Sequence, residues 1–486
     1  MWGNPNHLAE MARIYEELRG QEDSIPGPDG ERLHVIVPET NRESQTYDGI
    51  DWGGERVAEE TKLGLRRKVL AEIKRLEDDG KKVTRFSVTG YSLGGLIARY
   101  LVGVLHQRKF FDTVTPVNFM TVATPHIGIV QYPTWRSNMF AFLGPRLLSR
   151  TGEQFYAVDK WSATGRSLLE VMADPDRVFY QALTLFPHIR FYANAVNDVT
   201  VPYPTAAVET DDIFADHTWN GMVINFDEKY KPIIKSYELP ATPLPEPPEI
   251  HRFSREWWKS MQPRLPPIFP SKFPYNVLIF VSLPLLIPTL MTVAVVRLSL
   301  DSRSSRTRIK LLESGDSYPN RLAIVVGKLE KQVEDVVVDY MDNPGIHPDE
   351  SGTSTPLTGA SSTPARSASA LSVEEALKPS SSSSSQPSAA ELGQAVATAE
   401  KQKKCRSRGK KKTKEEKRKA PRPLITDLQR RMADSLNQLP NLKKELVYIH
   451  PAMNSHAVIV ARDVKRFEVH KQGRGVLRHL ADNFTI

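Results

Sequence analysis

The fold is indicated most clearly by one segment, Val88-Thr-Gly-Tyr-Ser-Leu-Gly-Gly95, which has Ser92 near its centre. Residues 84–89 predict a buried strand, and residues 96–105 predict a helix. A Gly-x-Ser-x-Gly sequence between a strand and a helix is typical of a sharp turn that lifts a serine hydroxyl above a sheet. The glycines two residues before and two residues after the serine have no side chain, which would avoid steric clashes in so tight a turn. We therefore predict that Ser92 is a nucleophile and that the Leu93 N–H, at the helix start, binds an oxyanion.

The rest of the chain alternates predicted strands with predicted helices. Further strands are predicted at residues 33–38, 117–123, 191–196 and 445–450. Amphipathic helices are predicted at residues 8–18, with Asn6 as a cap, and at residues 53–76 and 474–484. This alternation predicts an α/β protein with a mostly parallel sheet and helices on both faces, the α/β-hydrolase fold.

Changes in composition divide the chain into six predicted regions. Residues 131–176, within the first of them, form either a helical cap over the site or a packed surface subdomain. The regions are a first part of the hydrolase domain (1–238), a Pro-rich linker (239–275), an apolar membrane-associating segment (276–297), a connecting region (298–345), a disordered Ser/Pro-rich and basic region (346–423), and the last strand and helices of the hydrolase domain (424–486).

The apolar segment has about 20 uncharged residues at 277–296, which is long enough to span or enter a bilayer. Pro284 and Pro288 lie in its middle, and two central prolines are expected to break a straight helix. A spanning helix and a re-entrant hairpin therefore both remain open. A buried core segment is the third alternative, which the flanking linkers and the lack of apolar–polar alternation disfavour.

The formal charge of +8 is concentrated in one place. Residues 401–422 hold thirteen Lys or Arg against two Glu, so the rest of the chain is close to neutral. This basic run could bind anionic lipid or nucleic acid, or it could be a solvated tail. Nucleic acid is not expected, because the run has no interleaved aromatic residues and the chain shows no nucleic-acid-binding motif. Cys405 is the only cysteine, which excludes an intramolecular disulfide and favours a cytosol-facing protein.

A serine nucleophile needs a histidine base, and the histidine needs an acid that fixes its tautomer. In α/β-hydrolases these residues follow the serine in the order acid, then histidine. Asp198 comes directly after a predicted strand, at the carboxyl end where such sites are built, although an Asn-Asp pair is also common in ordinary turns. Other acids, Asp211, Asp212 and Asp216, lie further from a strand end.

The histidine is expected after the last predicted strand. His456 lies in the loop that follows this strand, and His450, at the strand's end, is its main rival. The remaining candidates precede that strand and fit the order poorly: His126, His188 and His217. Chemistry of this kind requires neither a metal nor a cofactor, and we predict neither.

The chain contains five motifs in this order: Tyr47-Asp-Gly-Ile-Asp51, Gly90-Tyr-Ser-Leu-Gly-Gly95, Thr124-Pro-His-Ile-Gly128, Asn194-Ala-Val-Asn-Asp198 and Asn454-Ser-His-Ala457. Together they resemble those of the fungal serine esterases, a family of lipase-like α/β-hydrolases that includes a yeast lipid-droplet phospholipase. The resemblance covers residues 1–235 and 425–486. It implies hydrolysis of acyl esters of glycerophospholipids at a lipid-droplet or endoplasmic-reticulum membrane, with Ser92, Asp198 and His456 as the triad.

The first residues depart from the family pattern, in which a strand ends His-Gly-x-Trp-Gly-Asn. This sequence begins Met1-Trp-Gly-Asn4, without that strand or its His-Gly. In the family the residue after His-Gly donates the second oxyanion N–H, which assigns that role to Met1. Losing one such donor typically costs about 10²–10³-fold in rate. A second hypothesis is therefore a catalytically impaired interaction protein at a membrane surface.

Overall fold

Four parallel strands form the central sheet of the structure, a computed structural model that describes residues 3–22, 32–58, 69–218, 220–240, 254, 275–314 and 421–486. The strands are β1 (Arg85–Tyr91), β2 (Thr115–Val122), β3 (His188–Asn194), β4 (Val223–Phe226), β5 (Ile234–Glu238) and β6 (Leu442–Val447). The order in the central sheet is β1-β2-β3-β6, and β4 and β5 form a separate antiparallel pair. All strand pairings within the central sheet are parallel, as the alternation of strands and helices predicts.

Helices connect and cover these strands. Short 3-10 helices occur at Pro5–Leu8, Glu43–Tyr47, Phe110–Asp112 and Glu468–Gln472. The α-helices are α1 (Ala9–Glu22), α2 (Ile50–Ala58), α3 (Val69–Asp78), α4 (Leu93–Gln107), α5 (Trp135–Leu147), α6 (Ser149–Phe155), α7 (Leu168–Ala173), α8 (Val178–Thr184), α9 (Tyr203–Ala207), α10 (Tyr275–Glu313), α11 (Asp427–Asn437) and α12 (Gly473–Asp482).

The core lies on both faces of the central sheet, because successive residues of a strand point to opposite sides. Phe119 of β2 is buried against α4, α8 and α11 on one face. Its neighbour Met120 is buried against α1 and α12 on the other face. This arrangement confirms the predicted α/β fold with helices on both faces.

The C-terminal part of the chain completes this sheet. β6 pairs with β3 from Ile189 beside Leu442 to Asn194 beside Val447. α11 packs against α7, and α12 packs against α1. Residues 421–486 therefore share one core with the first part of the chain, whereas most of the predicted linker (239–275) and of the predicted disordered region (346–423) lies outside the described residues.

Three local predictions differ from the structure. Residues 33–38 lie in irregular backbone rather than in a strand, and Leu33 and Val35 pack their side chains on the α1 face. The N-cap is Asn4, whose Oδ1 accepts from the Asn6 N–H at 2.9 Å, and not Asn6 itself. The long helix predicted at residues 53–76 is seen as α2 and α3, with residues 59–68 between them outside the described part.

α10 runs unbroken through Pro284 and Pro288, so the structure contains the helical alternative rather than the hairpin. Each proline removes one helical hydrogen bond, and the bonds on either side remain. The Thr289 hydroxyl donates to the Leu285 carbonyl at 2.7 Å, which adds a further bond in this stretch. In the described residues, Pro284–Glu313 is the one helical segment whose length and composition would let it cross a membrane.

Candidate active site

Ser92 lies on a strained turn between β1 and α4. Its backbone has φ 55° and ψ −125°, a conformation that costs a non-glycine residue about 1–3 kcal/mol. The Ser92 N–H donates to the Val122 carbonyl at 2.9 Å, which ties the turn to β2. Leu93 is buried and begins α4, so its N–H has no acceptor within the helix. The turn therefore holds the serine hydroxyl above the carboxyl end of the sheet.

Two of the glycines around Ser92 lie where a side chain would clash with neighbouring atoms, and one of these two, Gly95, is outside the Gly-x-Ser-x-Gly motif. A Cβ on Gly90 would lie 2.5 Å from the Gly95 Cα. A Cβ on Gly95 would lie 2.0 Å from the Thr124 Oγ1. A Cβ on Gly94, the last glycine of Gly-x-Ser-x-Gly, would have no atom within 4 Å. The close approaches therefore involve Gly90 and Gly95, and the expected constraint at Gly94 is absent.

The structure brings Ser92, His456 and Asp198 into one hydrogen-bonded chain. His456 Nε2 lies 3.0 Å from Ser92 Oγ, and His456 Nδ1 lies 2.9 Å from Asp198 Oδ2. A carboxylate only accepts hydrogen bonds, so this arrangement assigns the proton to Nδ1 and leaves Nε2 to accept from the serine hydroxyl. The histidine can then take the serine proton as the oxygen attacks a carbonyl carbon.

Four donors hold the Asp198 carboxylate, whose side chain is almost fully buried. The N–H groups of Thr200 and Val201 donate to Oδ1 at 3.0 and 2.8 Å. The Asn194 side-chain amide donates to Oδ2 at 2.8 Å, beside the bond from His456. This set fixes the carboxylate in the orientation that the histidine requires.

The loop that carries His456 is attached to the loop that carries the acid. The Ser455 N–H donates to the Asn197 carbonyl at 2.9 Å, and the Ser455 hydroxyl donates to the Val196 carbonyl at 2.8 Å. Asn454 Oδ1 accepts from the His456 N–H at 3.1 Å. Two loops that are 258 residues apart in sequence are thereby held in register by polar contacts.

Tyr91 holds His456 in position by a hydrogen bond and a ring contact. Its hydroxyl donates to the His456 carbonyl at 2.8 Å, and the two rings lie 5.1 Å apart between centroids. Burial, together with the nearby Asp198 carboxylate, raises the pKa of Tyr91 well above its usual value, so the hydroxyl stays a hydrogen-bond donor at neutral pH.

Sequence reasoning gave no separate role to three residues that shape this site. Tyr91 lies inside the Gly-x-Ser-x-Gly motif, and Asn194 opens the motif that contains Asp198. Thr124 begins the Thr-Pro-His motif, and its hydroxyl donates to the Ser92 carbonyl at 3.0 Å. Their membership of the motifs was the available signal, but only the folded geometry assigns the contacts.

The rival histidines and acids lie elsewhere. His450 Nδ1 is 3.4 Å from the Asn197 side chain, and His126 is fully buried, 2.8 Å from the Thr121 hydroxyl. Asp212 accepts from Tyr132 at 3.5 Å. Met1 lies outside the described residues, so its predicted oxyanion role stays a prediction. Searched over its described parts, the chain has no cluster of His, Cys, Asp and Glu that could hold a metal ion.

A parallel sheet with a nucleophile turn and a Ser-His-Asp chain at its carboxyl edge is the architecture of an α/β-hydrolase. Residues 1–211 match the family model described as "Putative serine esterase (DUF676)", so this part of the chain is similar to that family.

Two fungal proteins illustrate the likeness. The chain is 29% identical over 210 residues to "Putative lipase C4A8.10" of Schizosaccharomyces pombe, covering 42% of this chain and 25% of that protein. It is 29% identical over 167 residues to "Putative lipase ROG1" of Saccharomyces cerevisiae, covering 34% of this chain and 22% of that protein. The aligned part thus spans about a quarter of the length of these relatives. No solved structure matches the chain.

Proposed function

We propose that the protein is a serine esterase of the lipase type that hydrolyses acyl esters of glycerophospholipids. The single observation that carries the proposal is the hydrogen-bonded chain from Ser92 through His456 to Asp198, with distances of 3.0 and 2.9 Å. The names of the relatives, which are lipases by description, support a lipid ester as the substrate class.

The reaction follows from the roles of these groups. Ser92 Oγ attacks the ester carbonyl carbon while His456 Nε2 takes its proton, and the Leu93 N–H stabilises the oxyanion. The ester C–O bond breaks as His456 returns the proton to the leaving glycerol oxygen. Water, deprotonated by His456, then attacks the acyl-serine, and the bond from the acyl carbon to Ser92 Oγ breaks as His456 returns the proton to Oγ, which releases the fatty acid. Asp198 holds the imidazole and stabilises its charged form throughout.

The proposed site of action is the cytosolic side of an endoplasmic-reticulum or lipid-droplet membrane. α10 supports this proposal because its side chains from Pro284 to Val296 are exposed and, apart from two threonines, apolar. The basic run at 401–422 is proposed to add attraction to anionic lipid. Only its last residues are described, and there Arg422 donates to Asp216 at 2.9 Å.

Hydrolysis of phospholipid vesicles by the full chain, beside Ser92→Ala, tests the activity. We expect fatty-acid release that the substitution abolishes, together with covalent labelling of Ser92 by a fluorophosphonate probe. Folded protein that neither releases fatty acid nor takes the label would refute the esterase and favour the membrane-surface interaction protein. A labelled protein that cleaves a soluble acyl ester but no phospholipid would retain the esterase and refute the substrate.

Deleting residues 277–296 tests the membrane anchor separately. The part of α10 that packs on the hydrolase begins after this segment, so the domain should stay folded. We expect the shortened protein to move from the membrane to the soluble fraction while still taking the fluorophosphonate label. Unchanged membrane fractionation would show that another part of the chain is the anchor.

A further inference from the structure

Helix α5 presents large aromatic side chains to solvent. Trp135, Phe140 and Phe142 are 72%, 61% and 60% exposed, although each would normally be buried in a folded domain. Trp135, Phe142 and Arg146 follow at spacings of seven and four residues and therefore lie along one stripe of the helix. The opposite side of α5 is fixed to the domain at Gly144, where a Cβ would lie 2.3 Å from the ring of Tyr156.

Arginines accompany these aromatic rings. The guanidinium of Arg146 lies 4.0 Å from the centroid of the Phe142 ring, and that of Arg136 lies 5.9 Å from the Trp135 ring. Aromatic residues beside basic ones are typical of helices that lie at the headgroup level of a lipid layer, where rings reach the acyl chains and cations meet phosphates.

α5 is also next to the apolar helix. It packs against α10, and the Ser149 hydroxyl, at the start of the following helix α6, lies 3.3 Å from the Ser305 hydroxyl of α10. Ser302, Ser305 and Ile309 are buried on the domain, whereas the residues of the same helix from 284 to 296 are exposed. α10 therefore has two parts: an exposed, mainly apolar half at residues 284–296 and a half that packs on the domain around residues 302–309.

A buried ion pair fixes the packed half in place. Asp48 is fully buried, with Arg308 Nη2 of α10 2.8 Å from its Oδ1 and Arg56 Nη1 2.5 Å from its Oδ2. Arg308 also donates to the Ser44 carbonyl at 2.8 Å. Because these contacts hold α10 on the domain, the position of the aromatic stripe relative to the apolar half of α10 is fixed as well.

We propose that the exposed face of α5 is a second lipid-contact surface, with Trp135 and Phe142 among the acyl chains and Arg136 and Arg146 at headgroup phosphates. The occupant is the same phospholipid layer that the apolar half of α10 enters, so the inference rests on the proposed membrane function. Residues 124–134 lead from the sheet edge to α5, and Thr124 contacts Ser92. A lipid-bound α5 would keep the nucleophile beside its substrate.

Site-directed fluorescence on the full chain tests the surface. The only cysteine is replaced (Cys405→Ser), and a polarity-sensitive label is placed at Phe142→Cys, at Leu290→Cys on α10, or at Val223→Cys on β4 as the control. Val223 is 58% exposed, close to the 60% of Phe142, so the two labels start from similar hydration. Each protein is reconstituted in phosphatidylcholine vesicles with either ordinary or brominated acyl chains.

We expect brominated chains to quench the labels at 142 and 290 but not at 223. Quenching at 290 alone would overturn this inference and leave the membrane proposal standing; a label at 142 already shielded from aqueous iodide would then identify a second copy or another chain segment as the occupant. Quenching at neither 142 nor 290 would overturn the membrane proposal and this inference together.

Discussion

Gly94 and Gly95 are adjacent in sequence but should respond oppositely to alanine. Gly94 is the last glycine of the Gly-x-Ser-x-Gly motif, yet a Cβ there would meet no atom within 4 Å. A Cβ on Gly95 would lie 2.0, 2.7 and 2.8 Å from the Oγ1, Cγ2 and Cβ of Thr124. Real Cβ atoms do not approach other atoms so closely, so Gly95→Ala must displace Thr124.

The expected sizes follow from these distances. Overpacking of this kind typically costs about 1–3 kcal/mol. Replacing glycine by alanine in an unstrained helix gains about 0.4–1 kcal/mol by restricting the unfolded chain. Gly94→Ala should therefore be slightly more stable than the parent, and Gly95→Ala clearly less stable. Because Thr124 donates to the Ser92 carbonyl, its displacement should also shift the nucleophile, and misplacement by about 1 Å can reduce the rate by about 10²-fold.

The assay pairs thermal unfolding with the rate of hydrolysis of a soluble acyl ester, measured for both variants. Adding Thr124→Gly to each completes a double-mutant cycle, in which relief of the clash should appear as favourable coupling with Gly95→Ala and none with Gly94→Ala. Equal damage from the two alanines, or full activity of Gly95→Ala, would refute the steric reasoning.

Two further predictions concern buried carboxylates. Arg308→Met removes one of the two cations around Asp48 and should lower the free energy of unfolding by about 1–3 kcal/mol. The loss should be smaller than for a buried carboxylate left without any cation, because Arg56 still pairs with Asp48. The exposed Arg306→Met on the same helix serves as its control in thermal unfolding, and equal effects would contradict the role of the ion pair. Burial, with a smaller contribution from Asp51, raises the pKa of Asp159 to about 6, so the folded state holds this proton more tightly than the unfolded state and stability falls as pH rises from about 4 to 6. Asp159→Asn should remove that loss and raise the unfolding midpoint at pH 7.5 but not at pH 3.5, and an unchanged pH profile would refute it.

The sequence was most informative where the physics is local or where chain order constrains the answer. The strand–turn–helix around Ser92 depends on neighbours within a few residues, and β1 and α4 formed where the pattern predicts. His456 was chosen because it follows the last strand, and the structure places it 3.0 Å from Ser92 Oγ. Its catalytic role, like that of Asp198, stays a prediction until activity is measured.

Contacts between distant segments were the part that sequence could not supply. Residues 33–38 have the apolar composition of a strand, but a strand also needs a partner to complete its ladder, which composition does not reveal. Prolines in α10 suggested a break because their local cost was visible, whereas the bonds that remain around them were not. Gly94 was mistaken for a constrained position because the clash at Gly95 involves Thr124, about 30 residues away.

The Tyr47-Asp-Gly-Ile-Asp51 motif shows how a motif can contribute to such a protein without entering its active site. Asp51 is fully buried and accepts from Arg150, from the Gln154 amide at 2.9 Å and from the Trp161 indole at 3.3 Å. Asp48, three residues earlier, holds Arg308 of α10. Two neighbouring carboxylates thus hold two different helices on the domain: Asp51 binds α6, and Asp48 binds α10, the helix that contains the apolar segment. Both attachments bear on the proposed lipid-contact surface, because Asp51 holds α6, which packs against α5, and Asp48 holds the helix that carries the proposed anchor. A substitution in this motif should therefore impair hydrolysis of vesicle phospholipid more than hydrolysis of a soluble ester, whereas Ser92→Ala should stop both reactions.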